Sequence, residues 1–333
     1  MSATSRQIVL DCLNHTGPER VPMTLPEPYP HDFSRGGMRL PQKPEYEWRD
    51  TYGGRAERTD PWGNTWLRLG GISKGEVIKG GLENLDDLDN YEIPPIDDYA
   101  HYVEAEKVYR DPDNTRFRVG GLPGFAFNIA RYLRKLDNFF MDLHLDRERI
   151  DILMDRLDDA HIGAIRCYAK AGADAVMIGE DWGTQTALFI SPEMWRERFA
   201  PRFERLCGEV HAQGMKILMH SCGKVTDIIP DLIACGVDCL QFDQPRLHGI
   251  DLLASYADRC SFWCPVDIQK TLPTEDPAAI EADAREMIEK IGGNNGGFIA
   301  GYYGDNPALG LDPEVQDIAC RAFVKYGAPG VTV

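Results

Sequence analysis

His220 and Cys222 stand one residue apart, and Gly223 follows them. They end an apolar run, Lys216-Ile217-Leu218-Met219, which comes after a helical stretch closed by Gly214. Side chains alternate along a strand, so residues 220 and 222 point to one side. An imidazole and a thiolate side by side at a strand end are two ligands suited to zinc. Gly223, at the turn from strand to helix, permits close approach of a ligand or of other backbone.

Further candidates share that strand-end position. Cys264, in Ser261-Phe262-Trp263-Cys264-Pro265, is followed by a proline that stops its strand. A third soft ligand there would complete a three-ligand site with an open fourth position, as zinc catalysis requires. Glu180 and Asp181 end the strand before that of His220, and Asp243 and Gln244 end the one after it. Carboxylates so placed can ligate, hold a ligating histidine, or act as general acid or base. Tyr302 and Tyr303 follow the last strand. Cys235 ends a helix and Cys239 and Cys260 begin strands, so all three fall at the opposite end of the sheet, and Cys12, Cys167, Cys207 and Cys320 fall on helices, where they read as packing. His211 is on a helix and reads as structural, while His248, at a helix start, is within reach of the strand ends. Gly120-Gly121-Leu122-Pro123-Gly124 does not match a dinucleotide or phosphate loop and reads as a turn.

The elements that must position these groups alternate. Helices are predicted over 6–15, 125–136, 145–171, 192–213, 225–234, 249–257, 277–291 and 313–325. Strands are predicted near 21, 117, 175, 217, 239, 262 and 298. Ser191 and Asp312 are N-cap residues, each followed by proline. Short apolar strands alternating with helices specify a parallel sheet with helices outside it. Ligand-type residues at the ends of consecutive strands favour closure into a (β/α)8 TIM barrel, whose strand ends converge on one mouth. Seven strands are visible, and an eighth is sought within 60–80. Residues 1–333 are read as a single barrel domain. Residues 26–115, rich in Pro, Gly, Tyr and Trp, form an irregular covering insertion, in which Tyr52, Trp62 and Trp66 are candidates for an aromatic lid.

Composition narrows the partners. The 333-residue chain carries 36 Lys plus Arg against 53 Asp plus Glu, a formal charge of −17, which repels nucleic acid. No apolar stretch has membrane-spanning length, and the first residues lack a signal pattern, so a cytoplasmic protein is expected. The nine cysteines are then expected as thiols.

The chain resembles the uroporphyrinogen decarboxylase superfamily over roughly 5–325. The resemblance rests on Gly179-Glu180-Asp181-Trp182-Gly183-Thr184-Gln185, on Ile190-Ser191-Pro192-Glu193-Met194-Trp195, and on Met219-His220-Ser221-Cys222-Gly223 with Ile228-Ile229-Pro230-Asp231-Leu232. Asp60-Pro61-Trp62-Gly63-Asn64 is a weaker piece. The superfamily fold is a (β/α)8 barrel. True decarboxylases of the family carry Met-Arg-Gln-Ala-Gly-Arg after the first strand, where this chain reads Thr24-Leu25-Pro26-Glu27-Pro28-Tyr29. The zinc-dependent, corrinoid-linked methyltransferases carry His-x-Cys, matched by His220 and Cys222, and a late cysteine. Ala300-Gly301-Tyr302-Tyr303-Gly304 stands where that cysteine would be.

The resemblance implies a methyltransferase that moves a methyl group between a small methoxy, methylthio or methylamine substrate and a corrinoid (cobalamin) on a corrinoid-binding partner protein. The expected zinc ligands are His220, Cys222 and Cys264. Glu180, Asp181, Asp243 and Tyr303 are the expected catalytic groups, and Trp182, Gln185, Gln244 and Tyr302 the expected substrate contacts. A homodimer is compatible with this reading. Two alternatives stand beside it: a metal-free decarboxylase or lyase of a small carboxylated substrate, and a non-catalytic barrel subunit of a corrinoid system.

Overall fold

The structure, a computed structural model, describes residues 2–69, 75–293 and 295–328. Two sheets are present. The main sheet is parallel and contains β1 (Phe33–Gly37), β6 (Phe117–Gly121), β7 (Ala175–Gly179), β8 (Lys216–His220), β9 (Cys239–Gln241), β10 (Ser261–Cys264) and β11 (Phe298–Ala300), hydrogen-bonded in that order. The smaller sheet is antiparallel: β2 (Arg49–Asp50), β3 (Arg55–Thr59), β4 (Thr65–Leu69) and β5 (Glu76–Lys79). The strands described between 55 and 79 belong to this second sheet, so the described residues of the 60–80 region supply no eighth barrel strand, while 70–74 lie outside the described residues.

The main sheet curls. Strands lie ~4.8 Å apart, so in a flat sheet β1 and β10, five places apart in the ladder, would be separated by ~24 Å. Instead the rings of Phe33 on β1 and Trp263 on β10 stack with centroids 5.0 Å apart. One residue set from all seven strands fills the concave side, including Phe33, Val119, Ala175, Leu218, Cys239, Trp263 and Ile299. Helix α1 (Ser5–Leu13) plugs the floor with Val9, Cys12 and Leu13. The alternate residues of the strands, among them Val176, Ile217, Leu240 and Phe262, face a separate core beneath the outer helices.

The expected first strand over 20–25 is reduced to an isolated bridge. Met23 pairs parallel with Ala300 of β11, and the Thr24 amide donates to the Ala300 carbonyl at 2.9 Å. The same segment meets the chain entering β1, where the Asp32 amide donates to the Met23 carbonyl at 2.8 Å. Among the described residues the continuous ladder therefore has seven strands rather than the eight of the expected barrel, with Pro22–Leu25 spanning between its edges. The first strand of the ladder, β1, comes from within 26–115, where β1's Ser-Arg-Gly-Gly hides its periodicity.

Helix boundaries follow local signals. Ser191 accepts from the Met194 amide and Asp312 from that of Glu314, as N-caps do. The predicted 192–213 helix is two, Pro192–Arg198 and Ala200–Ala212, broken at Phe199 ahead of Pro201. Three helices matter for the site: α2 (Val103–Tyr109), packed on β1; α3 (Ala126–Arg134), which follows β6; and α4 (Leu136–Leu145), which follows α3 directly.

Asp32 secures the junction of the two edges. It is 1% exposed, and its carboxylate receives Arg20 Nη1 and Nη2 at 2.7 and 2.6 Å, Ser5 Oγ at 2.7 Å and the Met23 amide at 2.8 Å. Removing one partner of a buried pair leaves the other charge uncompensated. Asp32→Ala is expected to destabilise the fold by about 3–5 kcal/mol in urea unfolding, while Asp113→Ala, at an exposed position, is expected to change little.

Candidate metal centre

The curl and the ladder register decide which strand-end residues meet. His220 lies opposite Gly179 on β7 and Gln241 on β9. His220, Gln241 and Trp263 share the concave side by register. Counting by twos from these positions, Asp181, Cys222 and Asp243 turn inward, whereas Glu180 and Cys264 turn outward.

Among the described residues, Asp181, His220 and Cys222 have ligand atoms that all lie within 4.8 Å of one another. His220 Nε2 is 3.1 Å from Cys222 Sγ and 3.7 Å from Asp181 Oδ1. The Cys222 amide donates to Asp181 Oδ1 at 2.9 Å. Both the thiol and the carboxylate approach the same ring nitrogen. A nucleophile–base–orienter relay would use the two nitrogens separately. Three donors converging on one point is instead the arrangement of a ligand set. Carboxylate, imidazole and thiolate together suit zinc.

Neighbours orient each donor. Asp243 can only accept, and Gln241 Nε2 donates to its Oδ1 at 2.8 Å, which turns Gln241 Oε1 toward His220 Nδ1. Nδ1 then carries the proton, and the Nε2 lone pair is left for a ligand role. Arg131 of α3 reaches Asp181 Oδ2 with Nη2 at 3.3 Å and the Asp181 carbonyl with Nη1 at 3.4 Å. Gly223 brings the two loops together. Its φ is +79°, and a Cβ there would fall 2.1 Å from the Gly183 carbonyl oxygen. The Lys224 amide donates to the Thr184 carbonyl at 2.7 Å across the same contact. Cys222 is thereby held against Asp181.

A cavity of about 170 Å³ opens beside this group, lined by Gln241, Asp243, Trp263, Tyr302, Tyr303 and Arg35 among others. Burial, with the Asp243 carboxylate next, pushes the Tyr303 phenol above its ordinary range. Tyr302 accepts from Asn306 Nδ2 at 2.8 Å, and Gln316 ties Asn306 to the Tyr303 backbone. Arg35, on β1, sits with its guanidinium 5.7 Å from the Trp263 ring centroid.

Other predicted site residues lie elsewhere. Cys264 is fully buried in the outer core, its thiol pushed well up by burial, and it does not join the donor group. Its strand-end height is right, but its parity is opposite to that of His220. Glu180 is fully buried behind β7, where Oε1 accepts from the amides of Phe125 and Asn128 at the start of α3, 2.5 and 3.1 Å away. Burial raises its pKa to about 8. Trp182 is fully buried and stacks on Phe127 with centroids 3.8 Å apart, so it is a core residue of this fold rather than a cavity wall. Gln185 is exposed on the loop after β7, and Gln244 is half-buried before the short helix Pro245–His248; neither lines the cavity. His248 lies behind β9 against Phe242, its ring pushed down to about pKa 4 by burial. His211 bonds Asp238 near the start of β9. Of the proposed lid, Trp62 is buried, Tyr52 is almost fully exposed, and Trp66 packs on Tyr132.

Sequence reasoning missed Gln241, Arg131 and Arg35. Gln241 had a legible signal, since it shares parity with Asp243 and lies opposite His220. Arg131 had none, because only the packing of α3 on the β7 loop brings it to Asp181. Arg35 was concealed by the weak strand pattern of β1.

The pattern of the uroporphyrinogen decarboxylase (URO-D) family matches residues 72–326, well over half the chain. The chain belongs to this family. Curated URO-D relatives include the uroporphyrinogen decarboxylases of Bacillus thuringiensis (strain Al Hakam) and Bacillus cereus (strain AH187). Each is 27% identical over 157 residues, covering 45% of this chain and 43% of the relative. The chain thus matches less than half the length of these relatives. Among solved structures, a methyltransferase from Methanosarcina mazei is similar in fold, with TM-score 0.56 and 18% identity over 80% of this chain and 74% of that one. No helix among the described residues of this URO-D member is long and apolar enough to cross a membrane.

Glu180 makes stability depend on pH. The folded state keeps its proton up to about pH 8, whereas the unfolded chain releases it near the ordinary value of 4.5. Between these values the native state binds the extra proton, so stability falls as pH rises from about 4.5 to about 8. Glu180→Gln mimics the neutral form. Its urea midpoint is expected to exceed that of the wild type at pH 8 and to converge with it at pH 5; parallel midpoints across that range would contradict this account.

Proposed function

We propose that this chain is a zinc-dependent methyltransferase of the URO-D superfamily, acting between a small methylated substrate and a corrinoid carried by a partner protein. The observation that carries the proposal is the convergence of Cys222 Sγ and Asp181 Oδ1 on His220 Nε2. Asp181 takes the third position that the sequence had suggested for Cys264. Two anionic donors and one neutral imidazole would balance a divalent charge, and three protein donors would leave a fourth position for substrate. Bound zinc would supply Lewis acidity to the substrate heteroatom from which the methyl group departs.

The chain's own groups have distinct tasks in this reading. Gln241 holds the His220 tautomer, and Asp243 holds Gln241. Arg131 keeps Asp181 aimed at the donor group. Tyr303, protonated at neutral pH, faces the cavity and is placed to give the proton that the heteroatom takes up, with the Asp243 carboxylate beside it. The small cavity favours compact substrates of the methoxy, methylthio or methylamine type.

A second reading has its own support. Arg35 puts a cation at the cavity wall, and the curated relatives are decarboxylases. A metal-free decarboxylase of a small carboxylate would use Arg35 as an anion anchor.

Metal analysis separates the two. Asp181→Ala, His220→Ala and Cys222→Ser are each expected to lose zinc, and Cys264→Ala to retain it. Gln241→Ala is expected to weaken zinc binding roughly 10–100-fold through loss of its hold on His220. In cobalt(II)-substituted protein, Cys222→Ser should abolish the thiolate charge-transfer band. Wild-type protein that takes up no zinc, with decarboxylation of small carboxylates untouched by chelator, would favour the second reading.

A further inference from the structure

A larger cleft lies on the far side of Arg131. Its volume is about 620 Å³, within the range of pockets that hold drug-sized ligands, and it shares no lining residue with the cavity beside His220. It is framed by the small sheet on one side and by α3 and α4 on the other. Trp66 and Tyr132 form its aromatic wall, with centroids 4.9 Å apart and planes at 57°. Trp66 is held in place by its Nε1, which donates to Asp60 Oδ2 at 2.7 Å. Val77 and Phe140 add apolar surface.

Two cations face this apolar cleft. Arg131 is nine-tenths buried, and its Nε, shielded from solvent, meets no acceptor among the described residues. That Nε is enclosed by protein, so Arg131 contributes its charge to the cleft wall rather than an open donor. Lys135 is the second cation. Its ammonium makes no ion pair or hydrogen bond among the described residues, although the chain holds 53 acidic side chains against 36 basic ones. It sits at the joint between α3 and α4 with φ +62° and ψ 149°, a conformation that side chains rarely adopt. Such backbone persists where the surroundings impose it, often at ligand sites. The acidic residues at the cleft, Glu76 and Asp137, are both exposed and pair with neither cation.

We propose that the cleft between the small sheet and the α3–α4 joint binds an aromatic anion, its ring against Trp66 and Tyr132 and its charged group between Arg131 and Lys135. A carboxylate or sulfonate would pair with Lys135 in the positive field of the Arg131 guanidinium, while the ring replaces solvent on the aromatic wall. The site needs no metal, although Arg131 also supports Asp181.

Isothermal titration of zinc-free protein with 2-naphthoate, and with the uncharged and nearly isosteric 2-naphthamide, tests the proposal. One equivalent of 2-naphthoate is expected to bind, at least about tenfold more tightly than the amide. Lys135→Gln should reduce that discrimination several-fold and leave amide binding unchanged. Trp66→Phe should weaken both ligands together, with thermal unfolding confirming that each variant is folded. Equal affinity of acid and amide for the wild type, discrimination undiminished in Lys135→Gln, or no heat with either ligand at millimolar concentration would overturn it.

Discussion

The alternation of side chains along the curled sheet is the constraint on which the site depends. A strand presents successive residues to opposite sides, and the curl makes one of those sides a confined interior. Adjacent residues at one strand end therefore enter different environments. Asp181 turns to the mouth and meets His220, whereas Glu180, its neighbour, is buried behind β7 against the start of α3. Trp263 stacks on Phe33 inside, whereas Cys264 is sealed beneath the helices. Height along the strand is not enough to make a ligand; parity must agree as well.

Above that layer, loops complete the geometry. The Cys222 loop and the Asp181 loop touch because Gly223 has no side chain, and the contact lets the Cys222 amide bond Asp181. Each donor is steered by a second group: Gln241 behind His220, Arg131 behind Asp181. Such partners restrict ring and carboxylate orientation before any ion arrives, which lowers the entropic cost of assembling a metal site. Below the layer, the floor is closed by α1, and the ladder edges are tied by Pro22–Leu25 and the buried Asp32 carboxylate. The strand ends converge only because that closure holds the curl.

Arg131 joins two regions that the chain keeps apart in sequence. Its guanidinium supports Asp181, and the same side chain lines the cleft beside the small sheet. That sheet arises from the stretch whose Pro, Gly and aromatic content gave no periodic signal. Its strands are short and two-sided, and its register is set by cross-strand pairing rather than by one buried face.

The βα alternation, the caps at Ser191 and Asp312, the His220–Cys222 pair and the acidic balance were all legible in the sequence, because each follows from local spacing or from composition. The exclusion of Cys235, Cys239 and Cys260 from the mouth was legible too, since direction along a strand is a local property. The third member of the donor group was not. Choosing Asp181 over Cys264 and Glu180 required the ladder register and the curl, which arise from hydrogen bonds between strands tens of residues apart. The same holds for β1, whose Ser-Arg-Gly-Gly lacks a hydrophobic pattern and becomes a strand because β6 offers it a partner, and for Arg131, which reaches Asp181 only through the packing of α3. Local chemistry determined which residues could serve; long-range pairing decided which of them share one side of the sheet.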